Sequence, residues 1–490
     1  MNVLVITLDQ FRGDSWGGGG HPLVRTPALD ALAREGVTLS KHYSQAAPCS
    51  PGRAALYTGT YQMNNRVIAN GTPLDRHWES IATVARDAGY DPTLFGYTDQ
   101  GIDPVLADGA DDPRLDSYDG VLPGLSVGLY LPESQAGWVQ WLRARGHDVP
   151  YGWEAALRGE SERPADLSLS AFLTDRFLSW LDRQASGWFA HLSYLRPHPP
   201  YAAAGHFAKL YDPADVPLPL APAASGRHPV HEAALQFAPS RAPHDEASVR
   251  HLRAQYYGMI SEVDAQLGRV VEAIQRRGEW DDTLVVVTSD HGDQLGDHGL
   301  VEKLGFFPQS YHVVGVWRDP RRANPGSRVT CYTENVDVLP TLAESLGVPV
   351  PAQCDGRSLV GVMDGTDDPT RHVAHYEWDY RWYAQTGWDV DRTRRHTSGE
   401  HNLAVSVSDD VAFVQFADGS SRCFDLAADP TWRTPLIDPA RELAAAREQL
   451  TWRQGHQARG HADMLLSAPR RGWWDRPRAP ATDGWGTRRR

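Results

Sequence analysis

Asp9 follows directly on the apolar run Val3–Leu8, and Asp290 follows the run Thr283–Thr288 after Ser289. Such runs read as fully buried strands, and open α/β sheets bind their ligands beyond the carboxyl ends of the strands. His291 comes next after Asp290, so the two strand ends offer two carboxylates and an imidazole, hard and borderline ligands for a divalent cation. Cys49 opens the string Cys49-Ser50-Pro51-Gly52-Arg53. If a helix starts there, Arg53 shares the face of Cys49 one turn on. The string alone also suits a buried cysteine beside a turn and a surface arginine. His198 lies within Arg196-Pro197-His198-Pro199-Pro200, where rigid prolines would hold an imidazole in place. Asn70-Gly71-Thr72 is a turn by composition,.

The elements that must carry these residues alternate. Thr26-Pro27 marks a helix start, Leu29, Leu32 and Ala33 its inner face and Gly36 its stop,. A second helix runs through Ile81, Val84, Ala85 and Ala88 to Gly89, followed by a strand through Leu94 and Phe95. Phe172, Leu173, Phe177, Leu178 and Leu181 keep helical spacing ahead of a strand from Trp188 to Tyr194. The longest helical pattern spans Glu246 to Arg276 and leads into Thr283–Thr288,. Repeated strand-helix order predicts an α/β fold, a large mixed and mostly parallel sheet sandwiched by helices. Beyond about residue 370 shorter alternating segments, Leu403–Val407 and Val411–Phe416, and a helix near Pro439–Leu450 predict a smaller α+β unit. The expected division is therefore 1–370 and 371–490. The tail from Ala468, with Trp473, Trp474 and Trp485, reads as an extended arm or partner-contacting segment, or else as frayed chain,.

Composition narrows the function classes. A chain of 490 residues with 41% hydrophobic and 22% charged residues suits a packed globular protein,. A net charge of -14 excludes a broad nucleic-acid face while leaving room for a local anion pocket,. Neither a long apolar stretch nor a signal peptide is apparent, so a cytoplasmic protein without a membrane partner is expected,. Cys49, Cys331, Cys354 and Cys423 are too scattered for a zinc ribbon or a disulfide framework,.

Cys49-Ser50-Pro51-Gly52-Arg53 with Leu56-Tyr57-Thr58-Gly59 resembles the C-x-P-x-R…L-x-T-G signature of sulfatases, members of the alkaline phosphatase superfamily,. Asp290, His291, Gly296, Asp297, His298, Gly299, Leu300 and Lys303 reproduce a second stretch of that family, and Asp9-Gln10 a third. The resemblance implies that a formylglycine-generating enzyme oxidises Cys49 to formylglycine. It further implies that Asp9, Cys49, Asp290 and His291 hold one divalent ion, and that Arg53, His198 and Lys303 are catalytic. Arg53 would hold the hydrated aldehyde, Lys303 would meet the transferring group as a point charge, and His198 would protonate the leaving oxygen. Asn70, Tyr97 and Asp99 would contact the substrate. A formylglycine hydrate carries two hydroxyls on one carbon: one attacks phosphorus or sulfur, and loss of the other's proton expels the product as the aldehyde re-forms. A serine lacks that exit.

The resemblance is nearest to bacterial phosphonate monoester hydrolases, through Met63-Asn64, Pro73-Leu74-Asp75, Gly96-Tyr97-Thr98, Arg196–Pro200, Cys354–Leu359 and Tyr376–Arg381. It implies a hydrolase of phosphonate monoesters and phosphodiesters with side activity on sulfates, acting on a small anionic ester. A dedicated sulfatase for aryl or choline-like sulfates is the alternative, and a non-catalytic binding protein on the same scaffold a third reading. The family implies calcium, manganese or magnesium; the oxygen ligands favour calcium and His291 admits manganese or zinc. A homo-oligomer, often a tetramer, is implied too. Two departures stand out: Asp99 replaces a threonine, and after Lys303 the chain reads Tyr311-His312-Val313-Val314-Gly315 where an arginine and a proline are usual.

Overall fold

The computed structural model describes the chain except residues 110, 150–151, 323, 368–370, 384–399, 458–463, 467–471 and 475–490. Eight strands form the main sheet: β1 (Asn2–Leu8), β2 (Val37–Tyr43), β3 (Pro92–Gly96), β4 (Ser126–Tyr130), β5 (Phe189–Tyr194), β6 (Thr283–Thr288), β7 (Gly315–Arg318) and β8 (Ser327–Glu334). Their order is β4-β3-β5-β1-β6-β7-β2-β8. Only β7 runs against its neighbours, β6 and β2, so the sheet is mixed and mostly parallel.

The apolar run of β1 dictates its central place. All seven of its residues are buried, and a strand that is apolar on both faces needs cover on both. Side chains alternate across a strand, and the packing follows: Leu4, Ile6 and Leu8 join one core, and Val3 and Val5 join the other. The first core takes in the helices Leu169–Leu181 and Glu246–Arg276. The second takes in Cys49–Thr58, Ile81–Asp87 and Val338–Leu346. Each fully buried aliphatic side chain contributes about 1.5–3 kcal/mol, so these two layers fix the sheet between them. The parallel register sets Leu8 opposite Tyr194 and Thr7 opposite Thr288. The carboxyl ends of β5, β1 and β6 therefore end level, and the chemistry-bearing loops leave from one edge.

The expected helix starting at Thr26 is Pro27–Glu35, but the Thr26 side chain does not cap it. Asp264, from the long helix, accepts Ala28 N and Leu29 N at 3.1 and 2.7 Å instead. A tertiary contact has replaced the local cap.

A separate antiparallel sheet of four strands follows, in the order β12-β11-β10-β9: β9 (Ala374–Asp379), β10 (Asn402–Val407), β11 (Val411–Phe416) and β12 (Ser421–Asp425). Its core is aromatic, and Tyr311 from the departing segment stacks on Tyr376 with ring centroids 3.9 Å apart. The unusual Tyr311–Gly315 stretch thus joins the two sheets, ending where β7 begins at Gly315. The helix near the end runs Pro439–His456. Of the tail, Gly472–Trp474 pairs antiparallel with Met464–Leu466; residues 468–471 and Trp485 lie outside the described residues.

Gly52 sets how closely the Cys49–Thr58 helix meets β6. A Cβ there would lie 2.4 Å from the Asp290 carbonyl oxygen, a backbone atom that cannot step aside. Gly52→Ala should lower stability by about 1–3 kcal/mol, read as a fall in Tm by calorimetry. Gly137→Ala, on an exposed helix with nothing within 4 Å, should not; equal Tm values for the two variants would contradict this packing.

Candidate active site

Cys49 is the first residue of its helix, and every residue from Cys49 to Thr58 is buried. Pro48 precedes it without a side-chain acceptor. Asn70, reached through the Gly71 turn, fills that role: its Oδ1 accepts Ser50 N at 3.0 Å. Asn70 therefore holds the mouth of the helix while lining the adjoining cavity.

Arg53, one turn on from Cys49, is wholly buried. Its Nε donates to Asp290 Oδ2 at 2.8 Å and its Nη2 to Asp9 Oδ2 at 3.1 Å. Nη1 donates to Ser193 Oγ at 2.8 Å, Tyr97 O at 3.1 Å and Tyr57 OH at 3.3 Å. Asp99 Oδ2 lies 3.4 Å from Nε. Arg53 thus spends its fork on the acids that β1 and β6 deliver, rather than on Cys49. Ser193 and Tyr57 were not anticipated from sequence; Ser193, next to last in β5, was open to the strand-end argument.

Asp9 Oδ2 also accepts Tyr97 OH at 2.6 Å, so Tyr97 steadies Asp9. Asp290 Oδ1 accepts the backbone amides of Gln10 and His291 at 3.2 and 2.9 Å. His291 Nδ1 lies 3.0 Å from Gly292 O, which makes Nδ1 the protonated nitrogen and leaves Nε2 unprotonated, 3.2 Å from Cys49 Sγ,. The donor atoms of Asp9, Cys49, Asp290 and His291 all lie within 4.8 Å of one another. Asp9 Oδ1 is buried with no hydrogen-bond partner. A buried carboxylate oxygen left bare is costly unless a cation meets it, so the donor set fits a divalent metal ion.

Lys303 Nζ donates to Gln10 Oε1 at 3.0 Å and to His198 Nε2 at 3.1 Å. His198 Nδ1 lies 2.7 Å from Pro199 O, so Nε2 is the acceptor facing Lys303. Arg196 anchors this loop through the carbonyls of His198, Pro200 and Ala202 and a buried pair with Glu160. Gln10 reaches on to Asp293 Oδ2 at 2.6 Å. The motif's Asp297 and His298 stand apart: Asp297 pairs with Arg12 at 2.8 Å and His298 stacks on Phe307 at 3.6 Å. They hold the loop that carries Lys303.

Electrostatics separates the acids. Burial raises the Asp9 pKa, but His198, Arg53, His291 and Lys303 outweigh it and hold the group well below the usual carboxylate range. Burial and the Asp9 charge push Asp290 up to about 6. Burial lifts Asp99 to about 8 against the pull of Arg53. Burial and Lys303 lower His291 to about 3, so it is neutral and fit to ligate. Burial and Asp9 raise the Cys49 thiol well above its ordinary value. Asp99 has φ 50, a left-handed conformation that aspartate adopts more readily than the β-branched threonine it replaces.

A sheet order with one edge crowded by acids, and a buried helix opening on Cys49, define a sulfatase-type hydrolase of the alkaline phosphatase superfamily. The sulfatase family matches residues 1–348, and N-sulphoglucosamine sulphohydrolase, C-terminal, matches residues 296–446. The chain belongs to the sulfatase family. It is 35% identical, over 94% of its length and 96% of the relative's, to the multifunctional alkaline phosphatase superfamily protein PehA of Trinickia caryophylli. It superposes on the phosphonate monoester hydrolase of Agrobacterium radiobacter with a TM-score of 0.87 at 39% identity, covering 97% and 100% of the two chains. The phosphonate monoester hydrolase SpPMH from Silicibacter pomeroyi gives 0.85 at 32%, covering 97% and 99%. Among the described residues no helix is long and apolar enough to cross a membrane.

The donor set makes metal loading measurable without turnover. In Cys49→Ser protein stripped with a chelator, returning calcium or manganese to a hundred times its Kd should add about 2.7 kcal/mol of stability, seen as a rise in Tm; Asp9→Asn should abolish the rise. Protons compete for Asp290, so affinity measured by titration calorimetry should fall up to about tenfold per pH unit as pH drops through about 6,. Affinity unchanged between pH 8 and 5 would contradict the raised pKa of Asp290.

Proposed function

We propose that the protein hydrolyses phosphonate monoesters and phosphodiesters, with side activity on sulfate esters, through formylglycine derived from Cys49 and one divalent ion held by Asp9, Cys49, Asp290 and His291. The observation that carries this reading is the placement of Cys49 Sγ beside His291 Nε2 and within the buried cluster that holds the bare Asp9 Oδ1. The thiol sulfur marks where a hydrated aldehyde oxygen would stand. The two solved relatives above that are named phosphonate monoester hydrolases favour phosphonate over sulfate as the main substrate.

When bound, the ion supplies charge that lowers the pKa of a hydroxyl and stabilises anionic oxygens. The chain's own residues do the rest. Arg53 draws Asp9 and Asp290 together beside Cys49 and favours the ionised form of each. Lys303, held by Gln10 and His198 beside the cluster, places its positive charge toward the anionic head of the ester,. Lys303 donates to His198 Nε2, the atom from which a protonated His198 can deliver a proton to the leaving oxygen. Burial makes protonated His198 a stronger acid than a free imidazolium. Arg53 positions the two acids through its hydrogen bonds to them, beside the role toward the hydrated aldehyde that the resemblance implies.

Intact-protein mass spectrometry after co-expression with a formylglycine-generating enzyme should show Cys49 converted from thiol to aldehyde; a retained thiol with no activity would defeat the reading. Cys49→Ser should lose about a thousandfold or more in kcat, about 4 kcal/mol, and trap a covalent ester detectable by mass. Steady-state rates on matched aryl phosphonate, phosphodiester and sulfate esters decide the class: a higher kcat/KM on sulfate would make it a dedicated sulfatase.

A further inference from the structure

The cavity that opens from Cys49 and His198 has an uneven chemistry. Its lining includes the carboxylates Asp99, Asp119 and Glu133 and the rings of Tyr118, Tyr130 and Trp153, with no lysine or arginine among the lining residues. Asp99 lies deep, while Asp119 and Glu133 are exposed at the rim. Asp99 Oδ2 lies 3.4 Å from Arg53 Nε, a donor already shared with Asp290. Rim geometry is set by the chain itself: Glu133 N donates to Asp119 Oδ1 at 2.9 Å, and Tyr130 OH to Asp119 O. Independently, Gln135 is 4% exposed, lines the same cavity, and its Oε1 has no hydrogen-bond partner. A buried carbonyl oxygen without a donor is an unmet acceptor. Carboxylates, aromatic faces and a bare amide oxygen together are the groups that receive a cation.

Resting on the hydrolase reading above, we propose that this cavity selects esters whose organic arm carries a cationic nitrogen, so that the substrate is anionic at the reacting head and positive at its far end. Lys303 and Arg53 are bound among Gln10, His198, Asp9 and Asp290 at the reacting centre, whereas Asp119 and Glu133 are exposed at the rim of the cavity that Cys49 also lines, so the cationic groups sit deep and the carboxylates at the mouth. Such a field orients the ester before any bond changes, and the rim part of it is screened by salt.

The test compares phenylphosphonate monoesters of choline and of its neutral isostere 3,3-dimethylbutanol with the mature, metal-loaded protein. The choline ester should be favoured at least about tenfold in kcat/KM at low salt, about 1.4 kcal/mol. The preference ratio should shrink several-fold in Glu133→Gln with Asp119→Asn, and shrink again at high salt, with Tm values confirming folded variants. Equal kcat/KM for the two esters, or preference for the neutral one, overturns the inference while leaving the hydrolase reading intact. If neither ester turns over, the hydrolase reading for this ester class fails, and titration with choline chloride alone decides the cavity: saturable binding weakened by Glu133→Gln with Asp119→Asn sustains it, and no binding overturns it.

Discussion

A wholly buried guanidinium surrounded by three carboxylates governs the arrangement of this site. Removing Arg53 from water is unfavourable unless every donor finds an acceptor, and its three nitrogens are met by Asp9, Asp290, Ser193, Tyr97 and Tyr57. Those partners come from β1, β5, β6, the end of β3 and the arginine's own helix. The pairing therefore draws the Cys49–Thr58 helix against the carboxyl edge of the sheet, and Cys49, one turn earlier, arrives beside His291 as a consequence. Gly52 permits the approach because no side chain stands between the helix and the Asp290 carbonyl.

One guanidinium cannot satisfy all that negative charge. Asp9 is held ionised while Asp290 and Asp99 are pushed toward neutrality, the expected response when like charges share a dry site. Within this group the Oδ1 of Asp9 is buried without a hydrogen-bond partner. Lys303 relieves part of the negative charge from the far side, held by Gln10 and His198. A divalent ion among the four donors would complete the balance, which ties the chemistry of the site to its electrostatic need.

Much of this was legible in the sequence because it depends on local pattern. The buried strands β1 and β6, the long helix Glu246–Arg276 and the acids following the strands are set by periodicity and by where apolar runs stop. The spacing of Cys49 and Arg53 placed both on one helical turn, as found. What sequence could not supply were pairings across long separations. The local signal at Thr26 marks the helix start, yet Asp264 performs the capping. The resemblance gives Asn70 as a substrate contact, and what the structure shows is that it caps the Cys49 helix. Nothing in the residues 118–135 forms a motif, because the wall of a cavity needs only side chains of suitable kind converging from unrelated turns.

The same distinction explains why the reacting centre and the cavity beside it carry different constraints. At the centre each atom has several partners, so one change propagates: altering Arg53 would release Asp9, Asp290, Tyr97 and Ser193 together. Along the cavity, Asp119 and Glu133 are exposed and hold one another through a single backbone hydrogen bond. Changes there alter which ester arm is favoured with little effect on how the acids meet Cys49. Asp99 sits where the two regimes join, bound to the arginine on one side and facing the cavity on the other. A substitution at that position can shift substrate preference and still keep the reacting centre assembled, because Arg53 retains its bonds to Asp9 and Asp290 whatever stands at residue 99.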